Sequence, residues 1–212
     1  NSIKNLTFEI KETPISSVSV NDYVEWIDTD DAEDYKEALG LVVKAKIPGT
    51  NKELTLVEGT DYTVTYEFEG NSAANNSAGK TVKATITLKD NGNFCNDKGI
   101  TVYDTATITK ATLKSEHIKF REGTTFTYTG QAIEPAFDVV IDGHVLAGPG
   151  NTDKDYDVVY SNNVDAGTAT VTISGVGEYR GTASATYTIQ PADAADLVGA
   201  IGTEEYRGYS IE

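Results

Sequence analysis

The sequence predicts an all-β chain of tandem antiparallel β-sandwiches. Three observations carry this reading: period-two hydrophobic alternation, a repeated order of turns and strands, and a thin helical signal. Thr81-Val82-Lys83-Ala84-Thr85-Ile86-Thr87-Leu88 alternates polar and apolar residues at every step, as do Thr168–Ile173 and Thr182–Ile189. In an extended strand this places Val82, Ala84, Ile86 and Leu88 on one face and Thr81, Lys83, Thr85 and Thr87 on the other. A strand buried on one face and wet on the other reads in this way. The abundance of Thr and Tyr fits strand propensity.

Taken in chain order, residues 1–34 open the molecule, and Val24 and Trp26 share one face of a short strand that turns Tyr23 to the opposite side. A short helix is expected around Asp31–Leu39. The strand Asp61–Tyr66 precedes the alternating run at 80–88, followed by the glycine turn Gly92-Asn93-Phe94 and a strand ending at Thr107–Ala111. His117 then opens a strand at Ile118–Phe120, and Phe137–Ile141 leads into a hairpin tip at Asp142-Gly143-His144. Asp155–Tyr160, the alternating strand from 168, the turn Gly175-Val176-Gly177 and the strand from Thr182 complete the series. Gly175 and Gly177 are expected to supply positive φ, and Asn75-Asn76 and Asn162-Asn163 to occupy left-handed turn positions. Tyr179, and Phe94 in the matching place, should close one end of each core. Pro191 suits the first turn of a second helix running through Asp193–Ala200.

The repetition is ordered. Asp61-Tyr62-Thr63-Val64-Thr65-Tyr66 matches Asp155-Tyr156-Asp157-Val158-Val159-Tyr160, and each is followed by Ala-Gly (Ala78-Gly79, Ala166-Gly167) and an alternating strand. A third copy starts at Tyr206-Arg207-Gly208-Tyr209-Ser210-Ile211-Glu212, which echoes Tyr128-Thr129-Gly130-Gln131-Ala132-Ile133-Glu134. The expected division is 1–112, 113–192 and a truncated start of a third repeat at 193–212, with Tyr206–Ile211 pairing as a strand or packing down. Only Lys110–Leu113 joins the first two, too short a link for free tumbling.

The run from Tyr128-Thr-Gly through Asp155–Asn163, Ala166–Ile173, Gly175-Val-Gly177, Tyr179 and Gly181-Thr182 resembles a bacterial Ig-like repeat, found in tandem in large surface and secreted proteins of Gram-positive, clostridial-type bacteria. The resemblance covers the second unit almost entirely and the first from about Leu41 to Ala111; residues 1–34 lie outside it. It implies tandem Ig-like antiparallel β-sandwiches at the cell surface or outside the cell, serving as stalk, spacer or adhesive module. It implies no catalytic residue. Neighbouring repeats of the same chain, and a host or cell-wall glycan or matrix protein, are the partners it points to.

Composition narrows the function classes. The chain has 212 residues, 17 Lys+Arg against 33 Asp+Glu and a formal charge of −16. Such a field repels nucleic acid and anionic membrane surfaces. No apolar run approaches the roughly 20 residues of a membrane-spanning helix. Methionine is absent even at position 1, which reads as a piece excised from a longer protein. Cys95 is the only cysteine, so neither an internal disulfide nor a multi-cysteine zinc site can form. His117 and His144 have no neighbouring nucleophile motif, so no enzyme is expected.

The candidate binding residues are Trp26, Tyr23 and Tyr35, aromatic groups in the segment without a counterpart in the second unit. Added segments are where binding is grafted onto a scaffold. Residues 14–40 and the insertion 71–78 are therefore the expected interaction surface, and a carbohydrate-binding module is the alternative function; the plainer reading of Trp26 is a core tryptophan. Asp28, Asp30, Asp31 and Asp34 form an acidic loop suited to weak calcium capture, and Asn151–Asp157 is a second acidic run. Neither has the central glycine and final glutamate of an EF-hand loop, and a solvated loop is the plainer reading. No other cofactor is implied. Lys119 is the first-strand candidate for an internal Lys–Asn isopeptide bond.

Overall fold

The computed structural model describes residues 11–90, 93–96 and 100–193. Among these, the chain is all-β, with one four-residue α-helix. It divides into two compact units, Asn1–Ala111 and Thr112–Glu212. Pro191–Asp193, where a second helix is expected to start, are not helical, and the rest of that helix and the strand at Tyr206–Ile211 lie outside the described residues.

The first unit contains β1 (Thr13–Ser19), β2 (Tyr23–Glu25), a 3-10 turn at Ala32–Tyr35, α1 (Lys36–Leu39), β3 (Val42–Lys46), β4 (Glu53–Thr55), β5 (Tyr62–Phe68), β6 (Thr81–Leu88), β7 (Phe94–Cys95) and β8 (Tyr103–Thr109). They form two sheets, β4-β3-β1-β7 and β2-β8-β6-β5. The alternation in β6 is realised: Val82, Ala84 and Ile86 are buried, and the residues between them point outward. Ile15, Val43 and Ala45 from one sheet meet Tyr62 and Ile86 from the other, so the sheets pack face to face around a shared core. A second cluster joins Val24, Phe68, Val82, Ala106 and Ile108 to Ala32, Tyr35 and Leu39 of the helical segment. Asp31 caps that segment by accepting from Glu33 N at 2.9 Å, and Gly40, at φ 57°, ends it.

A two-residue strand, β9 (Ala111–Thr112), stands at the boundary. The second unit contains β10 (Ile118–Phe120), β11 (Thr125–Thr127), β12 (Phe137–Ile141), β13 (His144–Val145), β14 (Tyr156–Ser161), β15 (Gly167–Gly175), β16 (Tyr179–Arg180) and β17 (Thr182–Gln190). Its sheets are β10-β12-β13 and β11-β17-β15-β14. The strand order β2-β8-β6-β5 recurs as β11-β17-β15-β14, and β4-β3-β1 recurs as β13-β12-β10. Pair directions agree as well: β2 runs parallel to β8 and β11 to β17, while the other pairs within these corresponding orders are antiparallel. Aromatic rings join the two layers. Phe120 packs edge-on to Tyr187 at 5.8 Å, and Phe137 to Tyr160 at 6.4 Å. Each such pair adds about 1 kcal/mol beyond the area it buries.

The turns correct two expectations. Asn76 has φ −76°, and neither it nor Asn75 is left-handed, because their side chains serve the fold by bonding to other segments. Asn162, at φ 53°, does take a left-handed position, and Asn163 does not. Gly177 has φ 63°, but Gly175 is extended and is glycine for another reason: a Cβ there would lie 2.6 Å from Arg180 N. Tyr179 is buried, and Phe94 is half-buried beside Ile15 and its neighbours.

The two glycines separate by experiment. Gly175→Ala should lower the stability of the second unit by about 2–3 kcal/mol through steric overlap with backbone. Gly177→Ala should lower it by only about 1 kcal/mol, the left-handed backbone penalty. Urea denaturation followed by circular dichroism reads both, and equal effects would contradict the close-approach argument.

Candidate functional site

The segment expected to bind is fastened to the insertion expected to bind with it. Trp26 follows β2 and is half-buried against the first unit's core. Its indole Nε1 donates to Asn76 O at 2.9 Å. Asn76 Nδ2 donates to Ile27 O at 2.9 Å and to Thr29 O at 2.7 Å, and its Oδ1 accepts from Tyr35 OH at 2.7 Å. Tyr35 OH in turn accepts from Ile27 N at 3.1 Å. One asparagine thus ties residues 26–29, the helical segment and the insertion together.

Tyr35 cannot serve as an accessible platform. Its ring is 0% exposed and packs edge-on to Phe68 at 5.9 Å. Of the three aromatic candidates, Tyr23 alone is well exposed, at 67%, on the outer face of β2. The structure therefore does not bring Tyr23, Trp26 and Tyr35 onto one surface. The outer face around Tyr23 continues through Thr107 and Thr105 of β8, with Tyr103 held over Lys83 at 5.8 Å.

The acidic loop is used in capping. Asp31 bonds to Glu33 N, Asp34 Oδ2 accepts from Thr29 Oγ1 at 2.5 Å, and Thr29 Oγ1 accepts from Asp31 N at 3.0 Å. Asp28 and Asp30 are exposed. Among the described residues, no group of three or more His, Cys, Asp or Glu side chains stands where it could hold a metal ion. In the second acidic run, Asp155 Oδ2 accepts from Ala147 N at 2.7 Å and Lys154 pairs with Asp157 at 2.5 Å. Lys119 is exposed, and Asp138, opposite it on β12, is held by Arg121. His117 Nδ1 accepts from Lys114 N at 3.1 Å, and His144 is exposed on β13. No helix among the described residues is long and apolar enough to cross a membrane.

Sequence reasoning missed a cleft in the second unit. It has a volume of about 780 Å³ and lies along β12, β13 and β14, with Phe137, Val145, Tyr156, Val158 and Tyr160 in its lining. Arg121 is also in its lining and bonds to Asp138 through Nε at 3.1 Å and Nη2 at 2.5 Å. This fork holds the Asp138 carboxyl below its usual range. Tyr160 OH donates to Pro135 O at 3.0 Å, and burial pushes its phenol up to about 12. Burial also raises the Tyr156 and Tyr187 phenols. No local motif marks this site, since its lining comes from separate stretches of chain; the one signal available was the pairing of aromatic with charged residues at Phe137-Asp138.

Two outcomes follow from this chemistry. Asn76→Ala leaves Ile27 O, Thr29 O and Tyr35 OH without their partner, so the first unit should lose about 2–3 kcal/mol. Trp26 fluorescence reports its unfolding selectively; unchanged stability would overturn the fastening role. Alkaline titration tests the phenols. A phenol whose folded pKa is raised contributes stability that is complete below its unfolded value, about 10. That contribution is lost as pH rises through the folded value, about 12 for Tyr160. Stability of the second unit should therefore fall between these limits, and Tyr160→Phe should flatten the decline. Compared with known proteins, the chain matches no family model, no curated protein and no solved structure.

Proposed function

We propose that the chain is a non-catalytic, load-bearing spacer or adhesion module of a large bacterial surface or secreted protein, built from tandem Ig-like β-sandwiches. The observation that carries this reading is the parallel pairing, in each unit, of an early strand with a late one, β2 with β8 and β11 with β17. β2 lies parallel to β8 with Tyr23↔Thr107, Val24↔Ile108 and Glu25↔Thr109 in register. β11 lies parallel to β17 with Thr125↔Thr188, Phe126↔Ile189 and Thr127↔Gln190. Flanking bonds extend both ladders: Thr107 N to Asp22 O and Trp26 N to Thr109 O in the first unit, Thr188 N to Thr124 O and Tyr128 N to Gln190 O in the second.

Parallel neighbours whose chains exit in opposite directions respond to tension in one way. Pulling the ends draws the two strands past each other along their common axis, so all the ladder bonds are loaded together. An antiparallel hairpin pulled from its open end loads its bonds one after another and opens at lower force. A module placed in line between a cell and its surroundings needs the first arrangement. The repeated strand order supports the reading, because both units place the same parallel pairing at the same point of the order. The acidic surface supports it as well, since a high net charge limits nonspecific adhesion.

Single-molecule pulling of the full chain by its termini tests the proposal. Tyr128→Pro removes the N–H that donates to Gln190 O. One hydrogen bond of about 1 kcal/mol should make unfolding of the second unit about fivefold faster at a given force. An unfolding rate under load that does not respond to this substitution would sink the load-bearing reading.

A further inference from the structure

We propose that the second unit captures an extended cationic peptide segment as an added strand along the free edge of β14, with the peptide's alternate apolar side chains entering the cleft beside it. The inference is independent of the spacer reading. Its first support is the edge itself. β14 is the outermost strand of its sheet, with six consecutive residues in register on β15 and, among the described residues, no strand on its other side. Gly175 N donates to Gly181 O and so bonds toward β17. By the alternation of an antiparallel ladder, Ser174, Thr172 and Thr170 bond toward β14, engaging Asp157, Val159 and Ser161. The backbone N–H and C=O groups of Tyr156, Val158 and Tyr160 therefore face away from β15, available to a new strand.

Exposed edges are ordinarily blunted by lysine, proline, a bulge or a covering segment. β14 has no lysine or proline and no break in its register. Lys154, just before it, is paired to Asp157. In the first unit, the helical segment Ala32–Leu39 packs against the corresponding strand β5, with Tyr35 on Phe68 and Lys36 bonded to Glu58. Among the described residues, the second unit has no helical segment at that place.

The cleft and the charge define the occupant. Residues of an added strand alternate between two faces. The inward face meets Phe137, Tyr160 and Val145, the last 65% exposed. Outward, the added strand lies beside Asp157 and the 65% exposed Val159. Residues 112–193 hold five basic and eleven acidic side chains. Arg121, in the cleft lining, and Lys154, just before β14, are already bonded to Asp138 and Asp157. The surplus of carboxylates selects lysine or arginine between the apolar positions, and repulsion between two chains of charge −16 opposes a second copy as the occupant.

A fluorescein-labelled Lys-Val-Lys-Val-Lys-Val peptide, titrated against the full chain and read by anisotropy, tests the proposal. Saturable binding is expected, with at least about tenfold weaker binding of the Glu-Val counterpart. Val158→Pro deletes an outward N–H and spares the β15 ladder, and should weaken the lysine peptide by about tenfold or more. Should that variant fail to fold by circular dichroism, Val159→Lys reads the same edge by placing a like charge beside the peptide's lysines, and should weaken binding similarly. Absence of saturable binding, or equal affinity for wild type and the folded edge variant, overturns the proposal. Concentration-dependent dimerisation of the chain alone, lost in Val158→Pro, also overturns it and assigns the edge to a second copy.

Discussion

Register in two central strands governs the structure. β6 and β15 each have a strand on both sides, and each alternates polar residues, mostly threonine, with small or branched apolar ones. Val82, Ala84 and Ile86 in one, and Ala169, Val171 and Ile173 in the other, are almost wholly removed from water. A slip by one residue would bring the threonine row inward and bury a line of hydroxyls without partners. That penalty fixes β5 and β8 around β6, and β14 and β17 around β15. The edges, clefts and turns take their positions from these neighbours.

Around this shared framework the units use their connections differently. In the first, the long passage from β2 to β3 folds into the capped helical segment and brings Tyr35 and Leu39 into the core. The insertion after β5 then supplies Asn76, whose amide meets both main-chain carbonyls and the tyrosine hydroxyl that this passage presents. In the second, the shorter passage from β11 to β12 presents Ile133 O and Pro135 O, which accept from Tyr187 and Tyr160. Tyrosine hydroxyls thus secure main chain at the same stage of both units, from the helical segment in the first and from β14 and β17 in the second.

Strands were legible in the sequence wherever alternation was strict, as at 81–88 and 168–174, because period two is a direct image of one-sided burial. The helical segment at 31–39 was legible from local pattern, with Asp31 as its cap. The role of Asn76 was not: Asn75-Asn76 carries the local signature of a turn, while its real partners lie more than forty residues away. Tyr35 was misread as accessible for the same reason, since the charged neighbours Asp34, Lys36 and Glu37 mask a ring that the helical turn directs inward. Gly175 does not take the positive φ expected of it, and the close approach of Arg180 that does require glycine there leaves no trace in the sequence around it. The cleft of the second unit was invisible for a more general reason: no stretch of chain contributes enough of its lining to form a motif.

The parallel strand pair that ends each unit has a consequence for how the chain matures. Thr109 bonds to Val24 across 85 residues, and the register Phe126↔Ile189 spans most of the second unit. Contacts of such long sequence separation carry the largest loop-closure entropy and form late. β2 and β11 therefore wait through the folding of their units, without lasting partners, until β8 and β17 arrive. During synthesis each unit remains open at this seam until β8 or β17 emerges. A unit shortened at β8 or β17 therefore keeps most of its core residues but loses this parallel pairing.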